Sequence, residues 1–297
     1  MYGKRRFGLL LLGLLIFGCS RLEILTFRQN ERKQSKTFEE AKLHDFHFYT
    51  YTFDGRPIHY THVGADSLPL VLFVHGSPGS SGMFMDYLKD PRLTAVAQMA
   101  APDRPGFGYS GFGKAEPSLE KQAKALAEII RRHPHRKAIL VGHSFGGPVI
   151  VRMAAEFPEL VDGLIIVAGS VSPELEPREW WRKPADFFLI RWLIPPALRV
   201  CNQEILPLYK ELKKMLPLWE RVRCPVTIFQ GESDKLVPKE NANFAQKMLQ
   251  NSPDVRVKII PQGNHFILWS KADIITEEIL RQILAPEVVK MPPHRHS

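Results

Sequence analysis

Three runs in this chain are apolar at every position: Leu70-Val-Leu-Phe-Val74, Ala138-Ile-Leu-Val141 and Leu164-Ile-Ile-Val-Ala168. A strand with one wet face alternates apolar and polar residues. A run with no polar position must be covered on both faces, as in a parallel sheet between two helical layers. The segments around the runs fit that requirement. Residues 119–132 and 146–156 carry apolar side chains at helical spacing, with Ser118 placed to cap the first. Residues 95–101 are a weaker strand candidate, 225–229 and 255–260 add two more strands around a helix near 241–249, and 272–284 reads as a closing helix. Ahead of them, 46–53 alternates aromatic and polar residues, Asp54-Gly55 supplies a turn, and 58–63 continues as the antiparallel partner. The expected class is therefore α/β: a mostly parallel sheet with helices on both faces, right-handed crossovers, and ligands gathering at the carboxyl ends of the strands.

The 297 residues are 44% hydrophobic and 24% charged, far from the composition of a disordered chain. They predict one domain with an insertion, the core formed by 44–170 and 224–290, the insertion by 171–223, and a short tail by 291–297. A net charge of +9 raises the question of nucleic acid. The Lys and Arg residues are scattered, with their densest groups near the N-terminus and around Arg131, Arg132, Arg136 and Lys137, and no nucleic-acid reader motif appears, which argues against that class. A positive surface opposite anionic lipid accounts for the sign.

Lys4, Arg5 and Arg6 precede an apolar run from Phe7 to Gly18, inside the ~7–15 residues of a signal-peptide core and short of the ~20 that cross a bilayer. Residues 1–19 are expected to be an export signal. Ile16-Phe17-Gly18-Cys19 is similar to a bacterial lipobox, in which cleavage leaves an N-terminal cysteine that carries lipid, although Phe17 departs from the small or aliphatic residue usual there. The expectation is an exported, membrane-associated protein lipidated at Cys19, with an uncleaved anchor and plain secretion as alternatives. Residues 20–43 are expected to be a tether; a charged surface helix is the equal alternative for the polar stretch 28–42. Cys201 and Cys224 are expected to be unpaired or buried thiols, because no dense cysteine framework is present, with a disulfide between them, which an exported location permits, as the alternative.

Gly142-His143-Ser144-Phe145-Gly146 has the Gly-Xaa-Ser-Xaa-Gly pattern between a strong strand and a helix, the context of a nucleophile elbow. A serine hydroxyl attacks only when a base takes its proton, and that base needs a carboxylate to orient it. Both follow in order: Asp234 after the 225–229 strand and His265 after the 255–260 strand. Glu232, two residues before Asp234, is the competing acid. Donors for the oxyanion are expected from the amides of Phe145 and Ser77, the latter within His75-Gly76-Ser77-Pro78-Gly79. His75 and His143 read as residues that hold their loops.

These motifs, with Asp103-Arg-Pro-Gly-Phe-Gly-Tyr-Ser110, resemble the α/β-hydrolase superfamily over about residues 44–286, in particular members with an HGxPG loop. The resemblance implies a catalytic triad of Ser144, Asp234 and His265, an oxyanion hole at Ser77 and Phe145, and a helical lid for 171–223. Esterases, thioesterases, aminopeptidases and carbon–carbon bond hydrolases share these motifs. Epoxide hydrolases and haloalkane dehalogenases carry aspartate where this chain has Ser144.

The insertion interleaves Trp180, Trp181, Phe187, Phe188, Trp192, Leu193 and Trp219 with Arg178, Arg182, Lys183, Arg191 and Arg199. Packing of a lid against the core is one reading of that composition, and an acyl-binding or lipid-facing surface is the other. The expected activity is hydrolysis of a carboxylic ester of modest size or of a single-chain lipid, without metal or organic cofactor. A peptidase or carbon–carbon hydrolase on the same triad, and a non-catalytic binding module, are the alternatives.

Overall fold

The computed structural model describes residues 26–177, 182 and 194–286. Eight strands form one sheet in the order β1-β2-β4-β3-β5-β6-β7-β8. Strands β1 (Phe46–Phe53) and β2 (Arg56–Val63) form an antiparallel hairpin that joins β4 (Gln98–Pro102), also antiparallel. From β4 onward, β3 (Leu70–Val74), β5 (Ala138–His143), β6 (Gly163–Val167), β7 (Val226–Gly231) and β8 (Val255–Ile260) run parallel. The chain has the α/β fold that its apolar runs require.

Every residue of β3 is buried, and its side chains divide between two cores. Leu70, Leu72 and Val74 face the core shared with α2 (Leu119–Arg132) and α3 (Gly146–Glu156). Val71 and Phe73 face the opposite core, which contains Phe38 and, from the closing helix Ala272–Leu284, Ile275 and Ile279. Helix α2 begins where expected because the Ser118 hydroxyl accepts the Lys121 amide. Strand β4 starts at Gln98 and not at 95, because Asp90 caps a short helical turn, Pro91–Thr94, that uses up the preceding residues.

For residues 28–42 the structure shows the helical alternative to a tether: α1 (Glu31–Glu40) docks on the domain. Asn30 caps it, Phe38 is buried, and the buried Gln34 accepts the Thr61 hydroxyl at 2.9 Å. Phe38 lies four residues after Gln34, one helical turn along the same face, which gives the polar segment a buried stripe. The described part of the insertion is helical, with α4 (Pro196–Ile205) and α5 (Leu208–Met215), and its Trp219 is buried in the core. No disulfide joins Cys201 and Cys224. The export signal, Cys19 and the aromatic residues 180–193 of the insertion lie outside the described residues. Among the described residues, no helix is long and apolar enough to cross a membrane.

Candidate active site

Strand β5 ends at His143 and α3 begins at Gly146, leaving two residues for a sharp reversal. Ser144 takes φ +53°, a conformation costly for a residue with a side chain and common at functional sites. Its amide donates to Val167 O at 3.0 Å and its carbonyl accepts the Gly147 amide at 2.9 Å. The flanking glycines are required by space: a Cβ at Gly146 would lie 2.1 Å from Val74 O, and one at Gly142 would lie 2.5 Å from Gly146 O. The Ser144 side chain is half-buried and its hydroxyl makes no hydrogen bond among the described residues. Such catalytic bonds commonly tighten only once a substrate is bound.

The loop after β3 packs directly on this turn, since a Cβ at Gly76 would sit 2.9 Å from Ser144 Cβ. The amides of Ser77 and Phe145 donate to no acceptor among the described residues. Phe145 is also the first residue of the turn that opens α3, where backbone N–H groups lack helical partners and the helix dipole favours negative charge. Both amides are therefore available to an oxyanion.

Asp234 follows β7 and His265 follows β8, and the structure joins them: His265 Nδ1 lies 2.8 Å from Asp234 Oδ2. The other carboxylate oxygen accepts the Leu236 and Val237 amides, each at 2.9 Å. Burial alone would raise the Asp234 pKa, but the His265 and backbone hydrogen bonds outweigh it and hold the carboxyl below its usual range. The competing Glu232 turns away, its carboxylate taking the exposed Gln262 amide at 3.2 Å. His143 ties the elbow to the histidine loop, its Nε2 lying 3.0 Å from His265 O. Burial and the neighbouring His265 push His143 down to about 4, so at neutral pH it is an uncharged donor.

Sequence reasoning did not find the residue that holds the Ser77 loop. Arg104 is buried and donates to His75 O at 2.8 Å and Gly76 O at 2.9 Å, while its own amide donates to His75 Nε2 at 2.9 Å. His75 Nδ1 donates to Gly76 O at 2.7 Å, and burial, reinforced by the Arg104 charge, pushes this imidazole down to about 3. The guanidinium lies 4.5 Å from the Phe145 ring centroid and forms a two-pronged pair with Glu204 on α4 at 2.8 and 2.9 Å. The insertion thus reaches the Ser77 loop and Phe145 through one arginine. Arg104 sits within a recognisable motif, but Glu204 is an isolated acid in the sequence, and no local pattern signals it. Asp103, next to Arg104, orders the same region by accepting the Ser81 and Tyr109 amides, both at 2.8 Å.

A family model described as alpha/beta hydrolase fold matches residues 69–192. The chain has the α/β-hydrolase fold. The crystal structure of a membrane phospholipase A, described as a bacterial virulence factor, superimposes with a TM-score of 0.63 at 18% identity, covering 94% of this chain and 98% of that one. An esterase from Exiguobacterium antarcticum gives a TM-score of 0.63 at 18% identity over 80% of this chain and 99% of its own. In sequence, the chain is 28% identical over 238 residues to a 2-(acetamidomethylene)succinate hydrolase of Mesorhizobium japonicum, covering 67% of this chain and 82% of the relative. An uncharacterised hydrolase of Saccharomyces cerevisiae is 29% identical over 162 residues, which span 50% of this chain and 55% of the relative.

Proposed function

We propose that this α/β-hydrolase cleaves carboxylic esters through an acyl-enzyme, with Ser144 as nucleophile, His265 as general base and acid, Asp234 as orienter of the imidazole, and the Ser77 and Phe145 amides as oxyanion donors. The observation that carries the reading is the 2.8 Å contact between His265 Nδ1 and Asp234 Oδ2. It commits Nδ1 to the carboxylate and leaves Nε2 to exchange a proton with an alcohol. The elbow supplies the alcohol: the strained turn projects Ser144 above the sheet, beside two amides with no other acceptor. Ser144 in place of an aspartate favours acyl transfer over the alkyl transfer of dehalogenases and epoxide hydrolases.

Two apolar side chains flank the pair. Phe266 follows His265 and is 54% exposed; Leu236 lies two residues after Asp234 and is 60% exposed. Exposed apolar groups beside a reaction centre suit a substrate with an apolar acyl or alcohol part, which supports an esterase of lysophospholipase type. A lipid-bearing Cys19 would hold such an enzyme at its substrate's surface.

A fluorophosphonate probe tests the nucleophile. The folded chain is expected to be labelled, and Ser144→Ala is expected to abolish labelling. A panel of p-nitrophenyl esters of graded chain length beside aminoacyl anilides tests the substrate class, and a dominant anilide turnover would replace the esterase reading by a peptidase one. Equal detergent partitioning of wild type and Cys19→Ala would remove the lipid anchor.

A further inference from the structure

At the opposite end of the sheet from the Ser144 turn, β2, the β2–β3 loop and the end of α2 bring together His62, Asp66 and His133. One ligand atom from each lies within 4.8 Å of the other two. Both imidazoles are buried, whereas Asp66 is exposed. The rings stack with centroids 4.0 Å apart and planes 6° from parallel.

The hydrogen bonds fix which nitrogens are available. Gln98 Nε2 donates to Leu68 O at 2.8 Å and to Pro134 O at 2.7 Å, so its amide oxygen faces His62 Nε2 as an acceptor, 3.0 Å away. His62 Nε2 therefore carries the proton and Nδ1 holds a lone pair. That Nδ1 is buried and has no hydrogen-bond partner, a costly arrangement for a polar atom and one that calls for a reason. His133 Nδ1 lies 3.0 Å from Asp66 Oδ1, and its Nε2 lies 2.9 Å from the Tyr60 hydroxyl.

We infer that His62 Nδ1, His133 Nδ1 and Asp66 form a binding site for a divalent transition-metal ion of the zinc type, with solvent completing the coordination on the exposed Asp66 side. Two imidazoles and a carboxylate are a donor set suited to that class of ion. Each imidazole has the outer partner that metal-bound histidines need: Gln98 Oε1 for His62 Nε2–H, and the Tyr60 oxygen for His133 once its proton sits on Nε2. The ion takes the place of the proton between His133 and Asp66 and gives the orphaned His62 lone pair its partner.

The test uses the full chain carrying His294→Ala and His296→Ala, so that tail imidazoles do not contribute, dialysed against a chelator and titrated calorimetrically with zinc chloride. One equivalent of zinc is expected to bind, and Co2+ is expected to give a visible absorption band. Asp66→Ala changes an exposed side chain and is expected to weaken zinc binding at least about tenfold, since even the outer partners of metal ligands are worth about 10–100-fold. His62→Phe keeps the aromatic stack and is expected to lose binding, with fluorophosphonate labelling of Ser144 reporting that the chain is folded. No saturable zinc binding by the parent chain, or binding unchanged by Asp66→Ala, overturns the site.

Discussion

Arg104 and Glu204 form a fully buried, two-pronged ion pair that links helix α4 of the insertion to the loop carrying Ser77. The same guanidinium holds the carbonyls of His75 and Gly76, so the pair positions the loop proposed to supply an oxyanion donor. Glu204→Gln leaves a buried guanidinium without its counter-charge. Breaking such a pair from one side typically costs about 3–5 kcal/mol. The expected result is a loss of that size in urea unfolding, with kcat reduced more than KM is raised, because the donors serve the transition state. An unchanged kcat in folded Glu204→Gln would separate the pair from catalysis.

The contrast between two neighbouring acids gives a sharper test of the triad. Asp234 faces His265 and Glu232 faces the Gln262 amide. Asp234→Asn keeps the shape but favours the wrong imidazole tautomer, and the loss expected from the same change in a serine-protease triad is about 10⁴ in kcat. Glu232→Gln is expected to change kcat less than about threefold, because its partner is exposed and outside the reaction centre. Steady-state ester hydrolysis measures both, and the reverse ranking would reassign the acid.

What the sequence made legible follows how local each signal is. β3 and β8 were readable to the residue because a run of five or six side chains carries its own burial pattern, and the elbow because Gly142, Ser144 and Gly146 answer a steric demand confined to five positions. Helix α1 was not separable from a tether, since its burial rests on two residues, Gln34 and Phe38, that find partners only in the folded sheet. Glu204 as the partner of Arg104, and His62 with His133, were illegible for the same reason: each pair joins segments that the chain brings together across long separations, and no local pattern marks Glu204, His62 or His133.

Gly76 offers a test of the proposed oxyanion loop that removes no polar group. A methyl at this position would sit 2.9 Å from Ser144 Cβ and 3.1 Å from His143 Nδ1, closer than the packed loop allows. Gly76→Ala is expected to push the Ser77 amide out of position. Losing one such donor costs about 2.7–4 kcal/mol in the barrier, or about 10²–10³ in kcat. Stopped-flow acylation by a p-nitrophenyl ester measures it, and a rate within a few-fold of wild type would show that Ser77 is not a donor.

The buried histidines set the acid limit of stability. Burial lowers His62 and His143 to about 4 and His75 to about 3, against about 6.5 in an unfolded chain. Below 6.5 the unfolded chain takes up protons that the folded chain refuses, so stability falls as pH drops, and it stops falling on this account once each folded-state value is passed. Within that window each histidine costs up to about 1.4 kcal/mol per pH unit. Unfolding free energies measured from pH 7 to pH 4 in the presence of chelator are expected to decline steeply, and His143→Asn to flatten the decline. A flat profile would mean that these imidazoles are not neutral and buried in solution.

Helix α1 is expected to belong to the cooperative unit of the domain. Phe38 is fully buried beside Phe46, their ring centroids 4.9 Å apart, and Glu31 reaches His59 Nε2 at 3.1 Å. Removing a buried aromatic side chain typically costs about 3–5 kcal/mol, whereas the exposed Glu31 contributes little through its single contact with His59. Phe38→Ala is therefore expected to expose the 31–40 segment to proteolysis and to lower the unfolding free energy by that amount, while Glu31→Gln changes it by less than about 1 kcal/mol. Because no hydrogen bond or ring contact among the described residues joins α1 to Ser144, Asp234 or His265, kcat at a temperature where the variant is folded is expected to stay near wild type. A segment that protease removes from the wild-type chain without loss of stability would instead make these residues the tether their composition suggested.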